Sequence, residues 1–141
     1  VYKRQALMKP AEEIIGAVGL STMIVRPGDT SVAMGISDLP ILASPHVMHS
    51  MESASVAALT EYLESGETTI VEKFEITMID SVGIGAEIRC TARCIDVEGR
   101  ELTFLCDLYE GERHIAQGLI KRKAVERVSY LARTAAQSLL Q

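Results

Sequence analysis

The sequence predicts an α+β fold in which one long central helix is wrapped by a curved antiparallel sheet, in a chain that pairs with a second copy. Two observations carry this. Ser44 to Leu63 reads as a helix that is apolar or small on nearly every side, with Val47, Met48, Met51, Ala54, Val56, Ala57, Ala58 and Leu59 covering most directions. Such a helix has to be enclosed by the rest of the fold. Beyond it the pattern switches to period two over four successive segments, the spacing of strands with one buried face. Four long strands can bury a helix on most sides only by curving round it. The open sheet edge and half-covered helix then call for a second copy, so a homodimer is expected, with a larger assembly left open.

Taken in order, Glu12 to Val18 can form a short helix after Pro10, since Ile14, Ile15 and Val18 lie at helical spacing. Leu20 to Val25 is apolar and β-branched, as in a strand. Arg26-Pro27-Gly28-Asp29 is a turn signal before a second expected strand at Ser31 to Ile36. Ser44-Pro45 opens the long helix: a serine oxygen can cap the orphan N–H groups, and proline at the first position gives up nothing. Gly66 is expected to close that helix in the left-handed conformation.

After Gly66, Ile70, Phe74, Ile76 and Met78 share one strand face. Ile88, Cys90 and Ala92 alternate with Glu87, Arg89, Thr91 and Arg93 in the next strand. Val97-Glu98-Gly99-Arg100 reads as a hairpin turn leading to Leu102, Phe104, Cys106 and Leu108. Glu110-Gly111 marks another turn, and a last strand spans about His114 to Val125. Val128, Leu131, Ala135 and Leu139 lie at helical spacing in the tail. Residues 1–141 are expected to form one domain, with 1–18 as an N-terminal extension and 127–141 as a C-terminal helix.

Composition narrows the function. The 141 residues are 48% hydrophobic and 23% charged, a balance that builds a core and argues against disorder. A formal charge of -5 excludes nucleic acid as the main partner, because phosphate binding needs clustered positive charge. A small metabolite is expected instead. Two Phe and no Trp disfavour stacking on bases or sugars. Cys90, Cys94 and Cys106 are odd in number and form no CxxC pair, so they are read as reduced core thiols. No apolar stretch approaches the roughly 20 residues needed to cross a bilayer, and the N-terminus shows no apolar signal region. No membrane association and a cytoplasmic location are the expectation.

Glu52 stands out chemically. It is the only Asp, Glu, Lys or Arg between Asp38 and Glu61, in a helix otherwise apolar or small. A poorly solvated carboxylate costs free energy unless partnered, and such a group suits a general base or nucleophile. At the start of the helix, Ser44 combines a capping oxygen with free backbone N–H groups and a positive dipole end, which would stabilise a developing oxyanion. His49 precedes Glu52 by three residues and can meet it on one face, as a proton shuttle. His46, His49 and Glu52 could hold zinc only in an HxxHxxE pattern without known context, so no metal is expected. His114 is read as an exposed strand-end residue. Lys121, Arg122 and Lys123 form one basic cluster with Lys121 and Lys123 on one face and Arg122 on the other. Contact with phosphates competes there with an edge strand shielded by lysines.

The run Leu39-Pro40-Ile41-Leu42-Ala43-Ser44, Met51-Glu52 within the helix, Tyr62-Leu63-Glu64-Ser65-Gly66-Glu67 at its end, Val97-Glu98-Gly99-Arg100 in the hairpin, and Gly118 and Arg122 in the final strand together resemble the fluoroacetyl-CoA thioesterase group of the hotdog superfamily. The likeness spans roughly Leu39 to Val125. It implies a hotdog fold, a small or medium acyl-CoA substrate, hydrolysis of its thioester, and no cofactor beyond the CoA that arrives with the substrate. It also implies a catalytic set of a hydroxyl before the helix, a glutamate on it and a histidine on the next strand. Ser44 and Glu52 occupy the first two positions. The histidine position falls on Met78, so His49 is the candidate to replace it. Val71 stands where a glycine is associated with the oxyanion site, and Met78-Ile79-Asp80-Ser81-Val82-Gly83 replaces a histidine followed by small residues and prolines. Pro45, His46, Val71, Met78, Gly83 and Arg122 are the expected substrate-contacting positions. The competing expectation is an acyl-CoA or CoA binder that has lost the chemistry. A hydratase of the same fold is disfavoured because the helix lacks an Asp-x-x-x-x-His dyad.

Overall fold

The computed structural model describes residues 9–140. The order is α1 (Ala11–Ile14), β1 (Val18–Ile24), a single 3-10 turn (Pro27–Asp29), α2 (Ser44–Ala58), β2 (Glu67–Met78), β3 (Glu87–Glu98), β4 (Glu101–Glu110), β5 (Arg113–Glu126) and α3 (Arg127–Leu139). All five strands are antiparallel in one sheet of order β1-β3-β4-β5-β2. Alternation decides what faces α2. Ile88, Cys90, Ala92 and Cys94 of β3, Leu102, Phe104, Cys106 and Leu108 of β4, and Ala116, Ile120 and Ala124 of β5 are all buried. Val47, Met51, Ala54 and Ala58 of α2 join them in one core. The three cysteines are free and buried, and burial pushes the Cys90 and Cys106 thiols up to about 12, so they are inert.

Two glycines let α2 approach. A Cβ at Gly19 of β1 would lie 2.0 Å from the Ala54 carbonyl oxygen, and one at Gly118 of β5 would lie 2.5 Å from the Met51 sulfur. Tight hairpins join β3 to β4 and β4 to β5 at Gly99 and Gly111, both at φ near +60°, a conformation glycine adopts without strain.

Several expectations are corrected. Ser31–Ile36 is not a strand but a series of turns, because Thr30 draws the chain back: its Oγ1 accepts from Ala33 N and donates to Pro27 O, and Met34 N bonds Thr30 O. α2 ends at Ala58 rather than Leu63, with Leu59 as its cap. Gly66, at φ +90°, instead shapes the turn into β2. Ile70 does not share a face with Phe74: the register of β2 shifts at Glu72, and the extra residue turns Ile70 to the outer surface beside Lys123. β5 lies inside the sheet, between β4 and β2, so Lys121 and Lys123 shield no edge. The helix counted within the N-terminal extension spans Ala11–Ile14, and Ile14 is fully buried; residues 1–8 of that extension lie outside the described ones. α3 forms but buries none of its residues.

At the start of β2 the Glu67 side chain is fully buried. Its Oε1 accepts from Glu64 N at 2.7 Å, Oε2 lies 3.7 Å from Arg100 Nη1, and no hydrogen bond reaches Oε2 among the described residues. Burial raises its pKa above the ordinary 4.5. The folded state therefore holds the proton more tightly than the unfolded chain, and stability attributable to this group falls as pH rises through the window above 4.5. Glu67→Gln should flatten that part of the profile relative to wild type, measured by urea denaturation at stepped pH.

The two close approaches differ in what they meet. Gly19→Ala strikes backbone and should cost about 1–3 kcal/mol or more. Gly118→Ala meets only a flexible thioether and should cost less, as denaturation midpoints will show.

Candidate functional site

The site residues fall into two clusters. The first is at the start of α2. Ala43 caps the helix and no side chain caps it, Ser44 being its first helical residue; the expected serine cap is therefore displaced by one position, and the Ser44 hydroxyl is exposed and available. Its placement depends on the lead-in: Leu42 N bonds Val82 O, Ala43 N bonds Asp29 O, and Ile41 pairs with Gly83. Ser44 shares an open pocket of about 310 Å³ with Ser31, Ile41, Leu42, Met78, Ile79, Asp80 and Ser81. Pro45 and His46 follow Ser44, and His46 Nε2 lies 3.7 Å from Asp29 Oδ1. Met78, at the end of β2 opposite Ala116, is 44% exposed.

The second cluster lies two turns further along α2. Glu52 is on the uncovered face of the helix, its side chain 41% exposed, so this chain alone does not enclose it as expected. The same face shows Pro45, Met48, His49 and Val56 as exposed. Beneath it, Arg122 projects from β5 into the interior. Its Nε donates to Thr69 Oγ1 at 2.8 Å and its Nη1 to Ser55 Oγ at 3.1 Å, with Glu52 Oε1 3.9 Å away. Ser55 Oγ in turn donates to the Glu52 carbonyl at 2.7 Å. Burial lowers the Arg122 pKa and the Glu52 charge partly opposes that; an arginine stays charged under either influence. Val71 pairs with Arg122 across the sheet, next to the irregularity at Glu72.

The structure thus brings Ser44 to Met78, and Glu52 to Arg122. It does not bring the two clusters together: Glu52 is eight helical steps beyond Ser44, about 12 Å along the axis. His49 makes no side-chain hydrogen bond among the described residues. Lys121 and Lys123 project from the outer face of the sheet, away from Arg122. His114 is half-buried rather than exposed, bonded to Asp107 at 2.9 Å and stacked on Tyr109. Among the described residues no group of three His, Cys, Asp or Glu side chains could hold a metal, and no helix is long and apolar enough to cross a membrane. Sequence reasoning missed Ser55 and Thr69. Ser55, three residues after Glu52, was the available signal; Thr69 had none.

A five-stranded antiparallel sheet curved around one helix is the hotdog arrangement of the thioesterase superfamily. Within it the chain belongs to the fluoroacetyl-CoA-specific thioesterase family, FlK, whose model matches residues 25–128, and it is an acyl-CoA thioesterase-like protein. Its fold is similar to that of the fluoroacetyl-CoA thioesterase FlK, solved as a variant with acetyl-CoA, at 24% identity, TM-score 0.80, covering 87% of this chain and 97% of that one. A thioesterase superfamily member from Thermus thermophilus is 22% identical, TM-score 0.81, with 88% and 92% covered. A hot-dog-like protein from Thermanaerovibrio acidaminovorans is 18% identical, TM-score 0.80, with 90% and 95% covered. A search of curated proteins gave no significant match.

Removing Arg122 strands its interior partners. Arg122→Ala should destabilise by about 3 kcal/mol through lost charge-assisted hydrogen bonds. Arg122→Met, which restores the packed volume, should lose less in the same denaturation experiment.

Proposed function

We propose that the protein is an enzyme that hydrolyses the thioester of a small or medium acyl-CoA in the cytoplasm, at a site completed by a second copy of the chain. The observation carrying this is the setting of Glu52, the sole carboxylate of α2, on an uncovered apolar face with an arginine fixed beneath it. In this reading Ser44 and the adjacent helix N-terminus hold the thioester carbonyl, and Pro45, His46, Val71, Met78, Gly83 and Arg122 line the substrate. Glu52 activates water, or attacks the carbonyl carbon to form a mixed anhydride that water then cleaves; in either case the carbon–sulfur bond breaks and the CoA thiolate leaves. His49, exposed on the same face, delivers the proton. CoA arrives as part of the substrate, and no resident cofactor is proposed.

The dimer supplies what one chain lacks. β2 forms one border of the sheet, with Val71 near its start and Met78 at its end. A twofold pairing of two β2 borders runs them antiparallel, which would bring the Val71 and Glu52 cluster of one copy beside the Ser44 and Met78 cluster of the other. Three buried free thiols suit a reducing compartment.

A second reading is favoured by Met78 itself. With a thioether beside Ser44 in place of a proton-transferring ring, the site would bind acyl-CoA without turning it over.

A thioester hydrolysis panel separates the two. Wild type should release CoA from at least one short or medium acyl-CoA, Glu52→Ala should lose at least about 100-fold with folding intact, and Met78→His should gain activity. If wild type hydrolyses none of the panel but binds it saturably in calorimetry, the second reading replaces the first.

A further inference from the structure

The wall of the Ser44 pocket formed by Met78, Ile79, Asp80 and Ser81 runs between two backbone anchors, the pairing of Met78 with Ala116 and the bond from Leu42 N to Val82 O. Past the end of β2, Ile79 N and Asp80 N both bond the same Ile115 carbonyl, at 2.8 and 3.0 Å. Between those anchors the side-chain restraint from outside the segment comes from Arg113, the first residue of β5. Its Nη1 donates to Asp80 Oδ2 at 2.6 Å and to the Ser81 carbonyl at 3.0 Å, while Nη2 donates to the Glu110 carboxylate. Asp80 Oδ1 accepts from Ser81 N at 2.8 Å. One planar guanidinium therefore ties three acceptors on two segments, the pocket wall and the β4–β5 turn.

Asp80 follows the vacated histidine position by two residues and lines the pocket with Ser44, which would make it an obvious substitute base. Both of its oxygens are already engaged, and the Ser81 N–H and the Arg113 guanidinium hold its carboxyl below the usual carboxylate range. A carboxylate so committed is a poor proton acceptor, and the arrangement suits fixing geometry. A lone exposed ion pair contributes little to stability, but a fork with three acceptors restricts where the wall can stand.

We propose that Arg113 is a positioning residue that sets the size of the acyl group accepted beside Ser44, by holding Ile79 to Ser81 against the pocket. The inference rests on the thioesterase reading for its substrate class. Met78 and Ile79, 44% and 51% exposed, are the apolar surfaces the clamp holds in place. With the clamp released the wall yields, short acyl groups lose their fit and longer ones gain room.

The test uses the full chain with acetyl-, butyryl- and hexanoyl-CoA, comparing wild type, Arg113→Ala, Arg113→Lys, Asp80→Asn and Glu110→Ala. Arg113→Ala should shift the acetyl-to-hexanoyl ratio of kcat/KM by about tenfold toward the longer substrate, mainly through KM. Arg113→Lys and Asp80→Asn should fall between it and wild type. Glu110→Ala, which leaves the contacts to Asp80 and Ser81, should keep the wild-type ratio. A purely structural role would instead lower activity equally across the panel. If wild type turns over and Arg113→Ala leaves the ratio unchanged, the clamp is overturned and the thioesterase reading stands. If wild type does not turn over, Kd values for non-hydrolysable thioether analogues of the same chain lengths read the same ratio: a tenfold shift supports the clamp, and no shift overturns it. If neither turnover nor binding is found, both fail.

Discussion

The closeness of α2 to the sheet is the constraint on which the remaining geometry depends. It is set at Gly19 and Gly118, where a single added carbon would collide with helix backbone or with Met51. These glycines sit on β1 and β5, towards opposite sides of the sheet, so the helix is seated at two points. Only because it sits this low can an arginine on β5 reach hydroxyls on α2 and β2 at once. The same seating buries Met51 and Ala54 completely and leaves the opposite helix face, with Glu52, uncovered. Core packing and the presentation of the carboxylate are therefore one fact viewed from two sides.

Much of this was legible in the sequence because the strands obey strict alternation. The parity that separates Arg122 from Lys121 and Lys123 holds in the structure, as do the turns at Gly99 and Gly111. Local chemistry defeated the pattern elsewhere. At Ile70 one extra residue in β2 reversed the face, and nothing in a run of threonine, isoleucine and valine announces a bulge. At Ser31 to Ile36 an apolar stretch looked like a strand, yet Thr30 closes hydrogen bonds on both sides of itself and folds the chain into turns. The helix stopped early because Thr60 and Tyr62 bond back to Ala57 and Leu59 in short turns, which periodicity does not encode.

The candidate site was legible only as a set of residues. Ser44, Glu52 and Met78 could be named in sequence, but not the fact that they divide into two clusters, because that depends on helix rise and strand length together. The partners of Arg122 were hidden for a similar reason. Ser55 and Thr69 lie 67 and 53 residues away from it, and pairings at such range are fixed by how the sheet curves over the helix.

The chain divides its charged groups according to what surrounds them. Arg122 is enclosed with neutral hydroxyls as its hydrogen-bond partners and one carboxylate at 3.9 Å, so its charge is held in place while Glu52 keeps one side open. Arg113 is exposed and donates to two carboxylates and a carbonyl, an arrangement that restrains a loop. The inner arginine therefore shapes the electrostatics of the uncovered helix face, and the outer one shapes a wall. Met78 lines the Ser44 pocket, and in the proposed reading the chemistry there depends on the carboxylate and the helix N-terminus meeting around one carbonyl. The two groups stand about 12 Å apart along α2, which is why the proposed site draws them from two copies.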